Sequence, residues 1–532
     1  MKRFNVLSLV LAVSFALLTG AALAGHTGQR IILAIPQDEG ELTPYTYVTG
    51  YPGYNMLSLV FDTLMLNDLG DVPRPWLAES VTSTNGGRQW TIKLREGAVW
   101  HDGKPLTSAD VKFSYEYYKK YPLIGRFATA VRGISDIRTP DERTVVITLP
   151  RPEANFQQVT LADVPILPQH LWQNVTDPRA FKNATGSGPF KLVEHRPDQS
   201  YRLVENPSYF GGKPGADEVV LSIIKDATST FQALQAGQIS ATSREVLPEL
   251  IGQFSNNPRL KVVRGPGYAS TLLQFNTTIP PFNEVRFRQA VAGLIDTKGL
   301  VETLLLGYGT PGNAGFVHPQ SPFYSAATRE YKRLSVAEAG KVLDSLGYRA
   351  GAGGVRVGKD GKRLEFTLLV QSNNPLRIRA AELIAQQVRP AGIVFNVRSL
   401  DPTTVQQAVW PDFDVAKGRN FELAMWGWSA PVTSQLNLRG LFNSNPAAGT
   451  LNIGGYKNPT VDSLTERMVT TVDFDQRKQL ATQVQTIIAR DLPFITLWYA
   501  DGVYAYRPEA YDGWKFQKGQ GIINKRSFLQ GQ

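Results

Sequence analysis

A chain of 532 residues with 42% hydrophobic and 19% charged residues is long enough for two or three domains with sizeable cores, and too apolar to be disordered. The absence of cysteine removes disulfides, thiol catalysis, cysteine metal sites and a lipid-modified N-terminal cysteine together. The net charge of +10 raises nucleic acid as a partner class, but the lysines and arginines are scattered without a basic run, so no nucleic acid is expected and the surplus reads as a solvated surface.

Lys2 and Arg3 precede an apolar run from Phe4 to Leu18 and a small-residue stretch ending Ala22-Leu23-Ala24, the three parts of a secretory signal, with cleavage expected after Ala24. The run is short for a membrane span of about 20 residues. Arg30 to Ile35 reads as the first strand, and a loop carrying Tyr45 and Tyr47 leads to a helix expected over Asn55 to Leu66.

From Pro75 to Tyr118 the order is strand, turn and helix. Trp90, Ile92 and Leu94 alternate with Thr91, Lys93 and Arg95, the period of a strand with one buried face. Asp102-Gly103 marks a turn, and Thr107 with Asp110 forms a capping box for a helix carrying Val111, Tyr115 and Tyr118. Leu77-Ala78-Glu79, Leu94-Arg95-Glu96-Gly97, His101-Asp102-Gly103 and Leu106 to Val111, in this order, resemble the extracytoplasmic solute-binding proteins of dipeptide and oligopeptide ABC importers. Gly186-Ser187-Gly188-Pro189-Phe190 and Asn206-Pro207-Ser208-Tyr209 match that family's second landmark. The third is Phe275-Asn276-Thr277 with Pro280 to Asn283 and a helix from Glu284, for which Asn283 is the expected cap and Val285, Ala290, Val291 and Leu294 the buried stripe. Similarity runs from about residue 30 to residue 510.

The resemblance implies an α/β, bilobal periplasmic-binding-protein fold with two large lobes, a hinge and a small inserted domain. The expected division is 1–24 signal peptide, 25–70, 190–270 and 480–532 lobe I, 71–189 inserted subdomain, and 271–479 lobe II. It further implies a monomer working with an ABC permease of the inner membrane, free in the periplasm, closing on a small-molecule ligand, with no cofactor and no metal.

Other chemistries lack support. Ser187 stands in a Gly-Ser-Gly turn without the strained elbow of hydrolases, and His26, His101, His170, His195 and His318 show no metal spacing. Gly307 to Gly312 and Gly353 to Lys359 imitate phosphate loops, but Pro319 follows the first and Asp360 replaces the magnesium-binding hydroxyl in the second. Ser335 with Glu338 caps a further helix that Gly347 ends, and Leu364–Val370, Arg377–Arg389 and Ile393–Arg398 read as strand, helix and strand. A long helix is expected after Asn458-Pro459, reaching Arg490.

Ligand choice is expected around Phe421 to Pro431. In peptide-binding relatives the tryptophan here is followed three positions later by an aspartate that pairs with the peptide amine. Trp428 is followed at that distance by Pro431, and no acid occurs between Glu422 and Asp462. A buried ammonium without a partner costs several kcal/mol, about 1 to 3 on the gentler mutational scale, so ordinary free-amine peptides are not the expected ligand unless Glu41 or Asp414 substitutes. Trp410, Trp426 and Trp428 offer flat faces for sugars, apolar or cationic groups, with Trp428 expected to face the cleft and Trp426 the core. Arg419, Tyr45 and Tyr47 complete the candidate set. Peptide-like, sugar and opine ligands all remain open, and the alternatives of another class are a secreted α/β hydrolase and a binding receptor that feeds no permease.

Overall fold

Two long antiparallel strands, Lys261–Phe275 and Phe494–Tyr506, run through the middle of an 11-stranded sheet and are shared by two bodies of the molecule. The computed structural model describes residues 29–47, 50–430 and 436–529, the side chains of 50–52 excepted, so the expected signal segment and Pro431 lie outside the described residues. In chain order the strands of this sheet are β1 (Arg30–Ile35), β2 (Phe190–Arg196), β3 (Ser200–Glu205), β4 (Glu218–Ile223), β5 (Ala241–Thr242), β6 (Lys261–Phe275), β7 (Gly309–Pro311), β8 (Glu365–Gln371), β9 (Val394–Leu400), β10 (Leu423–Trp428) and β11 (Phe494–Tyr506). In space they stand as β9-β8-β10-β6-β11-β5-β1-β4-β3-β2, with β7 also on β11. The pairs β1–β4, β1–β5, β8–β9 and β8–β10 are parallel, and β6 is antiparallel to both β10 and β11.

The register of β6 against β11 breaks between Pro266 and Ser270, and the packing changes at the same place. Lys261 to Pro266 lie opposite Tyr506 to Asp501, whose Val503 to Tyr506 pack with residues of 31–260. Leu272, Leu273 and Phe275 lie on the other side of the break and pack with residues of 282–498. Gly267 stands in the break, where a Cβ would meet the Ala500 carbonyl oxygen at 2.4 Å, so only glycine allows the two strands to approach this closely.

A separate four-stranded antiparallel sheet is inserted after the first helix, in the spatial order Ala78–Thr84, Gln89–Leu94, Thr144–Thr148, Asp136–Asp141. Trp90, Ile92 and Leu94 are buried and Thr91 and Lys93 face outward, as the alternation requires. Helix α1 (Ser108–Lys120) begins at the expected capping box, with the Thr107 N–H donating to Asp110 at 2.8 Å, and buries Val111, Tyr115 and Tyr118. The core of this inserted sheet is continuous with that of β1 to β4.

Four expectations are corrected. The first helix is Gly50–Leu57, not Asn55–Leu66, and the chain then turns into a short strand at Met65–Asn67. Glu284, not Asn283, caps the helix Val285–Leu294, its side chain accepting from the Arg286 N–H. The long helix ending near Arg490 is two helices, interrupted because Asp473 caps a fresh start by accepting from the Gln476 N–H. The expected change of lobe at 480 falls within the second of these helices, whose Leu480, Ala481, Val484 and Ile488 pack with Leu272, Ala424 and Trp426. The chain leaves that core only along β11.

We label α2 (Pro375–Val388), α3 (Pro459–Thr470) and α4 (Phe474–Asp491). The segment after the inserted sheet meets α3 and α4 directly. The Ala154 N–H donates to the Val469 carbonyl at 2.8 Å, Arg477 donates to Asn155, and Val472 packs over Gly87.

Candidate functional site

Beside the β6–β11 crossing lies a cavity of about 180 Å³. Pro36 follows β1 and Ser243 and Glu245 follow β5, so the carboxyl ends of two parallel strands supply one wall, the position where open α/β sheets bind ligands. Gly267 and Gly502 from the crossing strands, Tyr504 and Phe516 supply the rest, with Asn55 and Met56 from the first helix and Gly519 to Gly521 at the rim. The end of β10 reaches the same rim, since Ala430 sits against Gly519.

Glu245 is the acid of this cavity. Its side chain is exposed into the space, and its carboxylate accepts one hydrogen bond, from the Tyr504 hydroxyl at 3.2 Å. The protein mass around the cavity pushes the Glu245 pKa up, with Tyr504 opposing. Burial pushes Tyr504 well above its ordinary range and keeps it a neutral donor. Sequence reasoning did not single out Glu245: the strand before it, Ala241–Thr242, has two residues and shows no periodicity to mark its end.

Trp426 and Trp428 lie on one face of β10, both buried, with ring centroids 6.4 Å apart, and Trp410 meets Trp428 edge to face at 5.8 Å. The expected separation of Trp426 to the core and Trp428 to the cleft fails because positions two apart on a strand share a face. The indole N–H groups of all three are buried without a partner among the described residues. On the opposite face of β10, the Arg377 guanidinium lies against Gly427, where a Cβ would stand 2.1 Å from one of its nitrogens. The Arg377 Nε is buried without a hydrogen-bond partner among the described residues, and burial lowers the pKa of the group to about 10.

The other expected contacts are placed elsewhere. Arg419 is occupied, donating to the carbonyls of Ile453 at 2.7 Å and Asn452 at 2.9 Å, and ties two loops. Tyr45 is 2% exposed, stacked on Tyr118 and hydrogen-bonded to the Tyr121 carbonyl, while Tyr47 packs on Tyr54 and Phe127. Tyr45 is a core residue, and Tyr47 is half-buried against the same core. Glu41 is engaged by Lys182 and His195, and Asp414 accepts from the Ala416 N–H.

The groups that suggested a hydrolase are tied up as well. Ser187 is buried and donates to Asp62 at 2.9 Å, in a network where Asp62 also accepts from Trp76, Tyr209 and the Lys525 ammonium. His101 accepts from the Gly186 N–H at Nδ1 and meets the Gly188 carbonyl through Nε2 at 3.0 Å; desolvation lowers its pKa to about 4. Among the described residues no group of three or more histidines and acids could hold a metal ion.

The sequence profile described as "Bacterial extracellular solute-binding proteins, family 5 Middle" matches residues 72–450. The oligopeptide-binding protein AppA of Bacillus subtilis is 27% identical over 459 residues, covering 84% of this chain and 82% of that protein. The probable D,D-dipeptide-binding periplasmic protein DdpA of Escherichia coli is 26% identical over 517 residues, 93% and 92% of the two chains. Among solved structures, AppA of Bacillus subtilis in complex with a nonapeptide superposes with a TM-score of 0.75 at 23% identity, covering 94% of this chain and 99% of that one. NikA of Brucella suis in complex with Fe(III)-EDTA gives 0.81 at 19% identity, covering 93% and 98%. These likenesses establish the bilobal α/β binding-protein fold with its hinge and inserted domain. With a match across more than two thirds of its length, the chain belongs to the family 5 bacterial extracellular solute-binding proteins.

Proposed function

We propose that this protein captures a peptide-like solute between its two lobes and delivers it to an ABC permease in the inner membrane. It works as a periplasmic monomer freed of residues 1–24. Its chemistry is recognition, not bond breaking. Lobe I comprises the residues packed around β1 to β5 with the inserted sheet and the end of β11, and lobe II those packed around β8 to β10, with β6 and β11 as the crossing segments. The observation that carries this reading is the cavity at the crossing, enclosed by residues that follow β1 and β5 and met at its rim by the end of β10. Its volume, about 180 Å³, is below the ~300–1,000 Å³ of a pocket that surrounds a drug-sized ligand, and suits one end group of a longer ligand. The peptide-binding names of relatives that match over most of their length support the same class. Stacking of a sugar on Trp426 or Trp428 gains no support, because both are buried, against each other and Trp410.

The test is a thermal-shift and calorimetric screen of residues 25–532 against short peptides and oligosaccharides. A ligand at 100 times its Kd adds about 2.7 kcal/mol of stability. Peptides are expected to raise the melting temperature and be recovered intact; stabilisation by oligosaccharides alone, or cleavage of the peptide, would overturn the proposal.

A further inference from the structure

We propose that Glu245 is the anchor for a ligand's ammonium group, and that the Glu245 cavity selects peptides with a free amino terminus. The inference rests on the peptide reading above and deepens it. It reverses what the sequence around Trp428 implies, since the acid absent from the end of β10 is supplied from the end of β5, in the opposite wall of the same crevice.

Three observations carry it. Glu245 lacks a counter-ion: its one hydrogen bond comes from a neutral phenol, and no lysine, arginine or histidine forms an ion pair with it among the described residues. The segments 48–52 and 431–435 contain no basic residue that could serve instead. The exposed carboxylate therefore keeps acceptor positions open to a cation brought into the cavity. Next, the surroundings suit an ammonium. Tyr504 and Phe516, ring centroids 6.1 Å apart, both line the cavity, and aromatic faces beside a carboxylate attract a desolvated cation. Finally, the space is small and placed at the crossing of the lobes, so it admits a chain terminus and leaves the remainder of the ligand to run along the crevice.

The assignment is tested by isothermal titration of residues 25–532 with tetra-alanine and N-acetyl-tetra-alanine, using the unaltered chain, Glu245→Gln and Glu245→Asp. The unaltered chain is expected to bind the free-amine peptide roughly ten- to a hundredfold more tightly than the acetylated one, the range of a charged hydrogen bond. Glu245→Gln keeps the shape and should bring the two affinities within about threefold, whereas Glu245→Asp, which keeps the charge, should restore part of the preference. Circular dichroism of each variant confirms folding, and the Asp variant carries the test if the Gln variant is misfolded. A preference that survives Glu245→Gln unchanged, or equal affinities in the unaltered chain, would overturn the assignment while leaving the peptide reading standing. If neither peptide binds the unaltered chain, the peptide reading falls and this assignment with it.

Discussion

Ala154 donates its backbone N–H to the Val469 carbonyl at 2.8 Å, although the segments that hold them, around Phe156 and Met468, are packed into different cores. Arg477 reinforces the join by donating to Asn155 while its guanidinium lies 5.0 Å over the Phe323 ring. The segment that follows the inserted sheet therefore touches the α3 and α4 helices directly.

Removing that join is expected to shift the equilibrium between open and closed forms. Arg477→Met is expected to weaken peptide binding by up to about tenfold, or roughly 1.4 kcal/mol, because closure then has less to gain. Calorimetry against the same peptide checks it, and an unchanged Kd would show that the contact does not contribute to closure.

Acid is expected to destabilise the protein through His101 and His318, whose pKa values burial lowers from 6.5 to about 4. Between pH 6.5 and about 4 the unfolded chain takes up protons that the folded chain refuses. Stability is therefore complete above pH 6.5 and declines as pH falls through that window, by at most about 1.4 kcal/mol per pH unit for each histidine. His101→Gln, whose amide can replace both hydrogen bonds to Gly186 and Gly188, should flatten the pH dependence of urea midpoints by about half. An unchanged slope would remove His101 from the account.

The Lys525–Asp62 pair ties the C-terminal segment into the core of lobe I, with Asp62 fully buried and Lys525 2% exposed. Lys525→Met leaves a buried carboxylate without its cation and is expected to cost about 3 to 5 kcal/mol in denaturant unfolding. Combining it with Asp62→Asn should recover part of the loss; a single-variant cost below about 1 kcal/mol would contradict a buried ion pair here.

Trp428 is buried against Trp410 and Trp426. Trp428→Phe is expected to lower the melting temperature while peptide affinity stays within about threefold, in contrast to Glu245→Gln. Loss of binding in a folded Trp428→Phe protein would return this indole to the ligand site.

Much of the frame was legible locally. The alternation at Trp90 to Leu94 and the Thr107–Asp110 box are short-range patterns, and both appear where periodicity and capping place them. The turns at His101-Asp102-Gly103 and Gly186-Ser187-Gly188 were legible too, but not that His101 joins them across 85 residues, because nothing local records a contact of that length. The same limit hid Glu245, which matters through the parallel pairing of β5 with β1 and through Tyr504, which lies 259 residues further on. The tryptophans show the opposite case. Period two already places Trp426 and Trp428 on one face, so their shared burial is a consequence of the strand itself.

The central claim is capture by closure. It is tested most directly by small-angle X-ray scattering of residues 25–532 with and without a binding peptide at saturating concentration. The account predicts a smaller radius of gyration with peptide, and a larger one for peptide-free Arg477→Met than for the peptide-free unaltered chain. Identical scattering with and without a peptide that calorimetry shows to be bound would contradict closure as the way this protein holds its ligand.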